Sequence, residues 1–519
     1  MQRPLISSLA LVFALSAAAS AQVTSIGLSA VRAQRFGNDL AGFDPQPQDN
    51  FAWSLAVGDF DGDGAGDLAT GVPFDDGVAG SEVPDTGLVA VRYGVAGGGL
   101  GPEIQILRQP ASGIEEDDFF GFSLASCDFD ADGFDDLAVG TPGEDVDLAM
   151  GAGAVSVFYG TASGLAADLP DVFNQDTPGV PDGSEDGDEF GSALACADFD
   201  ADGFDDLAIG APGEKIGTAF QTGQVFLFAG AAGGLVPGVA FSQEPAGLGA
   251  KLGASLAAGD WNGDGFADLA ASAPGVNTAS GALEVRFGSA AGIGLARALS
   301  LTETDIGGLS EFGDQFARAL AAGNFDGDAR VDLAIGIPFQ DFGAGGSIGD
   351  GGQFNVLYGA SGGFDLARTQ YWAQNNILGA GTSEQSDIFG WAMAAGDFDR
   401  DGRDDLAIGA LGEFVTGPQD GAATVIMGSP AGLTADRHRS IAAGLGGFPG
   451  DATQHARWFS FSLAAGDFDG DGHADLAIGA PLEDENGVAD AGTETVLYGA
   501  IFADGFESGA TDLWSATSP

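Results

Sequence analysis

Apolar residues along this chain fall into short runs with a two-residue rhythm, separated by bursts of aspartate and glycine that repeat almost letter for letter. The burst from Asp59 reads DFDGDGAGDLATGVP. It returns as DFDADGFDDLAVGTP from Asp128, DFDADGFDDLAIGAP from Asp198, DWNGDGFADLAASAP from Asp260, NFDGDARVDLAIGIP from Asn324, DFDRDGRDDLAIGAL from Asp397 and DFDGDGHADLAIGAP from Asp467. Successive copies start 69, 70, 62, 64, 73 and 70 residues apart, too regular for chance and too long for helical-hairpin repeats. Eight residues before each start stands an apolar side chain: Phe51, Phe120, Phe190, Leu252, Phe316, Phe389 and Phe459. Each burst is followed by an alternating stretch rich in Val, Phe and Tyr and bounded by glycine, such as AVSVFYG from Ala154 and TETVLYG from Thr493. Such alternation signals strands.

Each unit thus holds about four strands: one around SLAAGD, one at DLAIG, one at the alternating stretch, and a weaker outer one before the next Phe. No amphipathic helix of three turns is evident. Seven four-stranded units must cover both faces of every sheet, and radial stacking into a closed ring does so without leaving long open edges. The predicted fold is all-β, a seven-bladed β-propeller over residues 22–500, with residues 501–519 as a tail outside the repeat. The seventh unit has no clear fourth strand, whereas Val23 to Val31 is unassigned. This segment is therefore expected to supply the outer strand of blade seven, so that both chain ends share one blade.

Phe-Gly before the first strand, an Asp-rich loop after it and Gly-Ala-Pro after the second strand together resemble the FG-GAP repeats of integrin α-subunit propellers and of many secreted bacterial proteins. Gly210-Ala211-Pro212 and Gly479-Ala480-Pro481 match outright. Gly71-Val72-Pro73, Gly140-Thr141-Pro142 and Gly336-Ile337-Pro338 depart at the middle residue. Copy four has Ser272-Ala273-Pro274 and copy six ends in Leu411, so those two turns fit the pattern less well.

Positions 1, 3, 5 and 9 of every loop carry oxygen side chains. They are Asp59, Asp61, Asp63 and Asp67; Asp128, Asp130, Asp132 and Asp136; Asp198, Asp200, Asp202 and Asp206; and Asp260, Asn262, Asp264 and Asp268. The last three sets are Asn324, Asp326, Asp328 and Asp332; Asp397, Asp399, Asp401 and Asp405; and Asp467, Asp469, Asp471 and Asp475. Two carboxylates about 4 Å apart repel by about 4 kcal/mol at an effective dielectric near 20, so the loops call for a cation. Hard oxygen donors in a flexible, glycine-containing loop select Ca²⁺ over transition metals and over Mg²⁺. An EF-hand would need a bidentate Glu at position 12, where this chain has Thr70, Val139, Ile209, Ala271, Ile335, Ile408 or Ile478. The resemblance implies instead that Asp at position 9 closes the site. Up to seven Ca²⁺ ions are expected, the weakest in the loop from Asn324, where Ala329 also replaces the usual glycine.

Composition narrows the function. Against 76 acidic residues stand 17 basic ones, for a formal charge of −59, which excludes the basic footprint that nucleic-acid binding requires. Residues 1–21 read as a secretory signal peptide: a charged start, an apolar run from Leu5 to Ala18, and Ala19-Ser20-Ala21 before the cut. No later run is long enough to span a membrane. A secreted or cell-surface monomer is expected. Cys127 and Cys196 lie one and two residues before position 1 of their loops, hence on opposite faces of equivalent strands, and are expected as free, mostly buried thiols. The sequence carries no HExxH, no G-x-S-x-G and no phosphate loop, and its only lysines are Lys215 and Lys251. Binding or adhesion to an extracellular protein or glycan is the expected function. A propeller-shaped polysaccharide lyase or glycosidase is the alternative, and a lectin using Trp372, Trp391 or Trp458 a third.

Overall fold

The computed structural model describes residues 29–37, 46–77, 83–110, 114–168, 170–242, 248–276, 280–294, 299–342, 348–377, 383–414, 420–443, 457–485 and 488–499. These residues form seven four-stranded antiparallel sheets, the blades of a β-propeller. Blade three is representative: Ala193–Ala197 pairs with Asp206–Ala211, which pairs with Gln224–Ala229, which pairs with Val236–Ser242. The first strand of each blade lies against the first strand of the next, and that of blade seven, Ser462–Gly466, lies against that of blade one, Ser54–Gly58. The ring is closed, with these first strands around its axis. Among the described residues helix is confined to short turns such as Glu303–Ile306 and Gln374–Asn376.

Burial follows position in the blade. Every second strand, from Asp67–Val72 to Asp475–Ala480, is buried along its whole length, because the neighbouring sheets cover both of its faces. That explains the unbroken apolar DLAIG runs. The outer strands face solvent on one side, as Val236–Ser242 does. The core is a set of clusters between blades; one joins Val155 and Val157 of blade two to Phe190, Leu207, Ile209 and Phe226 of blade three.

The recurrent Phe-Gly and Gly-x-Pro elements are two halves of one contact. A Cβ on Gly140 would stand 2.1 Å from the carbonyl oxygen of Gly191 in the next blade, and Gly71 and Gly210 meet Gly121 and Gly253 in the same way. Only glycine permits the blades to come this close. The preceding Phe residues, and Leu252 in blade four, are buried beside this contact. The departures at Ser272 and Leu411 leave the strands intact: Asp268–Ala273 and Asp405–Ala410 have the same length and burial as their counterparts.

An N-terminal strand completes blade seven, as expected, but it lies further along the chain. Ser29–Gly37 pairs antiparallel with Thr493–Tyr498, from Ser29 opposite Tyr498 to Gly37 opposite Thr493. Of the predicted segment only Ser29 to Val31 falls in this strand, and residues 23–28 lie outside the described residues. Side chains, not alternation alone, fix the register. Arg35 pairs with Glu483 at 3.3 Å and Glu485 at 2.7 Å, and Phe36 lies under the guanidinium of Arg92. Blades seven and one are further joined by the fully buried Glu494, which accepts from Thr70 and pairs with Arg92 at 3.4 Å. Tyr498 in turn bonds to Gln34 and accepts the N–H of Leu100.

The expectation of free thiols is wrong. Cys127 and Cys196 form a disulfide, with Cα atoms 6.3 Å apart. The mistake lay in taking opposite faces of equivalent strands as a bar to bridging. Neighbouring blades are stacked, so opposite faces of equivalent strands are what they turn toward each other. Blade one repeats the relation, since a Cβ on Gly58 would run into the hydroxyl of Ser126.

Candidate metal-binding loops and the opposite face

Each Asp-rich loop reverses the chain between the first and second strands of a blade. In blade three Asp198 accepts the N–H groups of Asp202 (3.1 Å) and Gly203 (3.0 Å). Asp200 also accepts from Asp202, and Asp202 from Phe204. These are Asx turns, and Gly203 with φ of +93° supplies the left-handed step. The position-9 aspartate does different work. Asp206, buried, accepts the N–H of Phe199 at 3.1 Å and of Gly230 at 2.9 Å, tying the loop to the end of the third strand. The same pair of bonds recurs at Asp67, Asp136, Asp268, Asp332, Asp405 and Asp475.

The loops bring positions 1, 3 and 9 together. Carboxylate oxygens of Asp59, Asp61 and Asp67 lie within 4.8 Å of one another, as do those of Asp128, Asp130 and Asp136, of Asp198, Asp200 and Asp206, and of Asp397, Asp399 and Asp405. Position 5 sits at the rim and is exposed in blades one to six. Burial and neighbouring carboxylates raise the pKa of Asp61, Asp130 and Asp200. Burial above all lifts Asp67 and Asp136 to about 7 and Asp405 and Asp475 to about 8, against the lowering effect of their amide donors. Such a donor set, entirely hard oxygen and costly to ionise unaided, suits a divalent cation of the calcium type.

Blades four and five depart from this arrangement, and in blade six an arginine joins it. Asn262 turns its amide N–H toward Asp268, and Asn324 donates to the carbonyl of Asp328 at 2.8 Å. In blade five Arg368 of the outer strand pairs with Asp326 at 2.9 Å, and in blade six Arg437 pairs with Asp399. Neither arginine lies in a loop motif, so their proximity was not legible in the repeat. His473, at position 7, is buried. His438 is on the outer strand Thr434–Ile441, and His455 lies outside the described residues.

The loops are also linked to one another. The position-8 N–H of each blade donates to the position-1 carbonyl of the blade before: Asp135 to Asp59, Asp205 to Asp128, Ala267 to Asp198, Val331 to Asp260, Asp404 to Asn324, Ala474 to Asp397, and Gly66 back to Asp467 at 2.7 Å. Where position 8 is itself Asp, its carboxylate takes the position-1 N–H as well, as Asp135 does from Asp59 at 2.8 Å.

On the other face, the acidic clusters divide into buried and solvated members. Asp118 and Asp188 are buried and accept the N–H groups of Glu115 and Glu185, while Glu115, Glu116 and Asp117 are exposed. Glu144 and Glu214, which the motif reading passed over, are raised to about 7 by burial and then by Asp118 and Asp188 respectively. Trp372 stacks on Phe354 within a core cluster, whereas Trp391 and Trp458 belong to an aromatic group at the channel mouth.

A ring of four-stranded blades with Phe-Gly and Gly-x-Pro contacts and an Asp-rich loop in each defines a class. Residues 51–91, 120–158, 190–228, 252–283, 389–426 and 459–497 match the FG-GAP repeat, and the chain is an integrin-like FG-GAP β-propeller. Blade five, with Asn324 and Ala329 in its loop, lies outside the matched ranges. Among similar proteins, phosphatidylinositol-glycan-specific phospholipase D of Rattus norvegicus is 36% identical over 157 residues, 30% of this chain and 18% of that protein. Integrin alpha-5 of Xenopus laevis is 31% identical over 246 residues, 44% of this chain and 20% of the integrin. The matched regions thus span about a fifth of these relatives. Among solved structures, a rhamnogalacturonan lyase of Bacillus licheniformis aligns over 93% of this chain and 75% of its own at 14% identity, with a TM-score of 0.42. Among the described residues no helix is long and apolar enough to cross a membrane.

Proposed function

We propose that this chain is an exported, calcium-stabilised propeller that acts by binding or adhesion, at the cell surface or in the extracellular medium, toward a protein or glycan ligand. The observation that carries the calcium assignment is the gathering of three carboxylates, at positions 1, 3 and 9, in blades one to three, each loop ready to surrender like-charge repulsion to one cation. The position-1, -3, -5 and -9 residues named above are the ligand candidates in all seven loops. Arg368 and Arg437 supply a positive charge of their own in blades five and six, so these loops hold Ca²⁺ least well. Residues 1–21 serve as the export signal, and the Cys127–Cys196 disulfide fits an oxidising destination. Integrin α-subunits carry the same repeat, which favours a binding role. The test is thermal unfolding in chelator, then with Ca²⁺ or Mg²⁺ restored. The melting temperature should fall by many degrees and recover with Ca²⁺ far better than with Mg²⁺; an unchanged value refutes the calcium assignment. A glycan and protein array probed with and without Ca²⁺ addresses the ligand.

A further inference from the structure

The residue that opens each innermost strand lies at the end of the channel away from the Asp-rich loops, and these seven positions are unequal. Blades six, seven, one and two present Trp391, Phe461, Trp53 and Phe122. Blade five presents Arg318, and blades three and four only Ser192 and Ala254. The aromatic members touch in sequence around the ring, with centroids 5.6 Å apart from Trp391 to Phe461, 4.6 Å from Phe461 to Trp53 and 5.8 Å from Trp53 to Phe122. Trp458 stacks on Phe461. These rings are half-buried, unlike the fully covered Phe residues of the blade cores.

Arg318 ends the arc, its guanidinium carbon 4.9 Å from the centroid of Trp391. Among the described residues no carboxylate forms an ion pair with it, although eight other arginines of this strongly acidic chain have such partners. Burial alone lowers its pKa, and a guanidinium is always charged in proteins. A half-buried guanidinium with no ion-pair partner among the described residues, beside aromatic faces and followed around the ring by the small side chains of blades four and three, has the makings of a subsite. Its fork fits a carboxylate, and the arc fits a flat apolar face. We propose that this channel mouth binds an acidic sugar residue of the uronate class, its carboxylate on Arg318 and its C–H face on Trp391 and Phe461, with Ser192 and Ala254 leaving room for the rest of the glycan.

This rests on the reading of the propeller as a binding module and supplies its ligand class. Calorimetry and tryptophan fluorescence in excess Ca²⁺ and about 0.15 M salt, where charges more than about 8 Å apart are screened, would compare a galacturonate trisaccharide with a galactose trisaccharide. The acidic trisaccharide should bind at least about tenfold more tightly, a difference of about 1.4 kcal/mol. Arg318→Gln should abolish that preference, Arg318→Lys should keep part of it, and Trp391→Ala should weaken both sugars, with melting temperatures confirming that each variant is folded. Equal affinity for the two sugars, no binding of either, or an unchanged preference in Arg318→Gln overturns the inference. Calcium-dependent melting without sugar binding leaves the calcium assignment standing, so the two readings fail separately.

Discussion

Replacing Tyr498 by Phe removes one oxygen atom from the seam where the ring closes. That hydroxyl accepts the N–H of Leu100 in blade one at 2.8 Å and bonds to Gln34 of the N-terminal strand. Phe keeps the ring in place, so the apolar packing survives and the cost is confined to hydrogen bonding. Leu100 is 3% exposed, so water reaches its orphaned amide poorly and the penalty is about 1–3 kcal/mol. Loss of the Gln34 bond adds about 1 kcal/mol, for a total of about 2–4 kcal/mol. Tyr93 is an internal standard, because its hydroxyl makes the same contacts between blades one and two, accepting from Leu165 at 3.0 Å and bonding to Gln105. Gly164 is shaped around it, since a Cβ there would stand 2.1 Å from the Tyr93 hydroxyl. Urea unfolding followed by tryptophan fluorescence, in saturating Ca²⁺, should show Tyr498→Phe and Tyr93→Phe lowering stability by amounts equal to within about 0.5 kcal/mol. If Tyr93→Phe is costly and Tyr498→Phe is neutral, the seam between blades seven and one contributes nothing and the ring is not closed in solution.

Reduction of the unfolded chain should add two hydrogens to its mass, and the double variant Cys127→Ser, Cys196→Ser should lose up to about 4 kcal/mol, the chain-entropy value for a loop of about 70 residues. Glu303 is raised from 4.5 to about 8, chiefly by burial and then by Asp314. Its folded pKa lies above the unfolded one, so its stabilising contribution is complete below about pH 4.5 and is lost as the pH climbs toward 8. Glu303→Gln should therefore be nearly neutral at pH 4.5 and stabilising at pH 8, read from urea midpoints at both values. Arg437→Gln frees Asp399, and titration calorimetry should find tighter Ca²⁺ binding or one additional site; unchanged binding would show that the arginine does not compete for that loop.

The blade count, the four-strand unit and the grouping of loop carboxylates were legible because each is written seven times, in a local pattern of apolar alternation and Asx-turn spacing. What escaped the sequence depends on which blade faces which. The faces of Cys127 and Cys196 were assigned correctly, but the stacking geometry that makes opposite faces meet is a property of the ring. Arg368 and Arg437 reach the loops from outer strands roughly 40 residues later, where nothing in the motif marks them. The closing strand was sought in Val23 to Val31 because that stretch was unassigned, whereas Gln34, Arg35 and Phe36, beyond it, dock through specific polar and ring contacts that no local pattern marks. The arc from Arg318 to Phe122 is visible only when corresponding positions of all seven blades are read around the circle.

The position-8 to position-1 hydrogen bonds, returning from Gly66 to Asp467, act as a hoop around one end of the barrel-like stack. A hoop has a fixed circumference. No blade can be added or lost without breaking it, and no residue can be inserted into an Asp-rich loop without pulling two neighbours out of step. A second hoop runs at the opposite end, where the N–H of each Phe before a first strand, and of Leu252 in blade four, donates to the blade before, from Phe120 to Thr86 round to Phe51 and Ala491. Yet the repeat length varies from 62 to 73 residues, so that variation has to be taken up in the turns between the two hoops. The molecule is thus tied at both ends, and its freedom of length lies in the turns that neither series of bonds includes. Descendants of this chain can lengthen, shorten or recompose those turns while inheriting an unaltered closure.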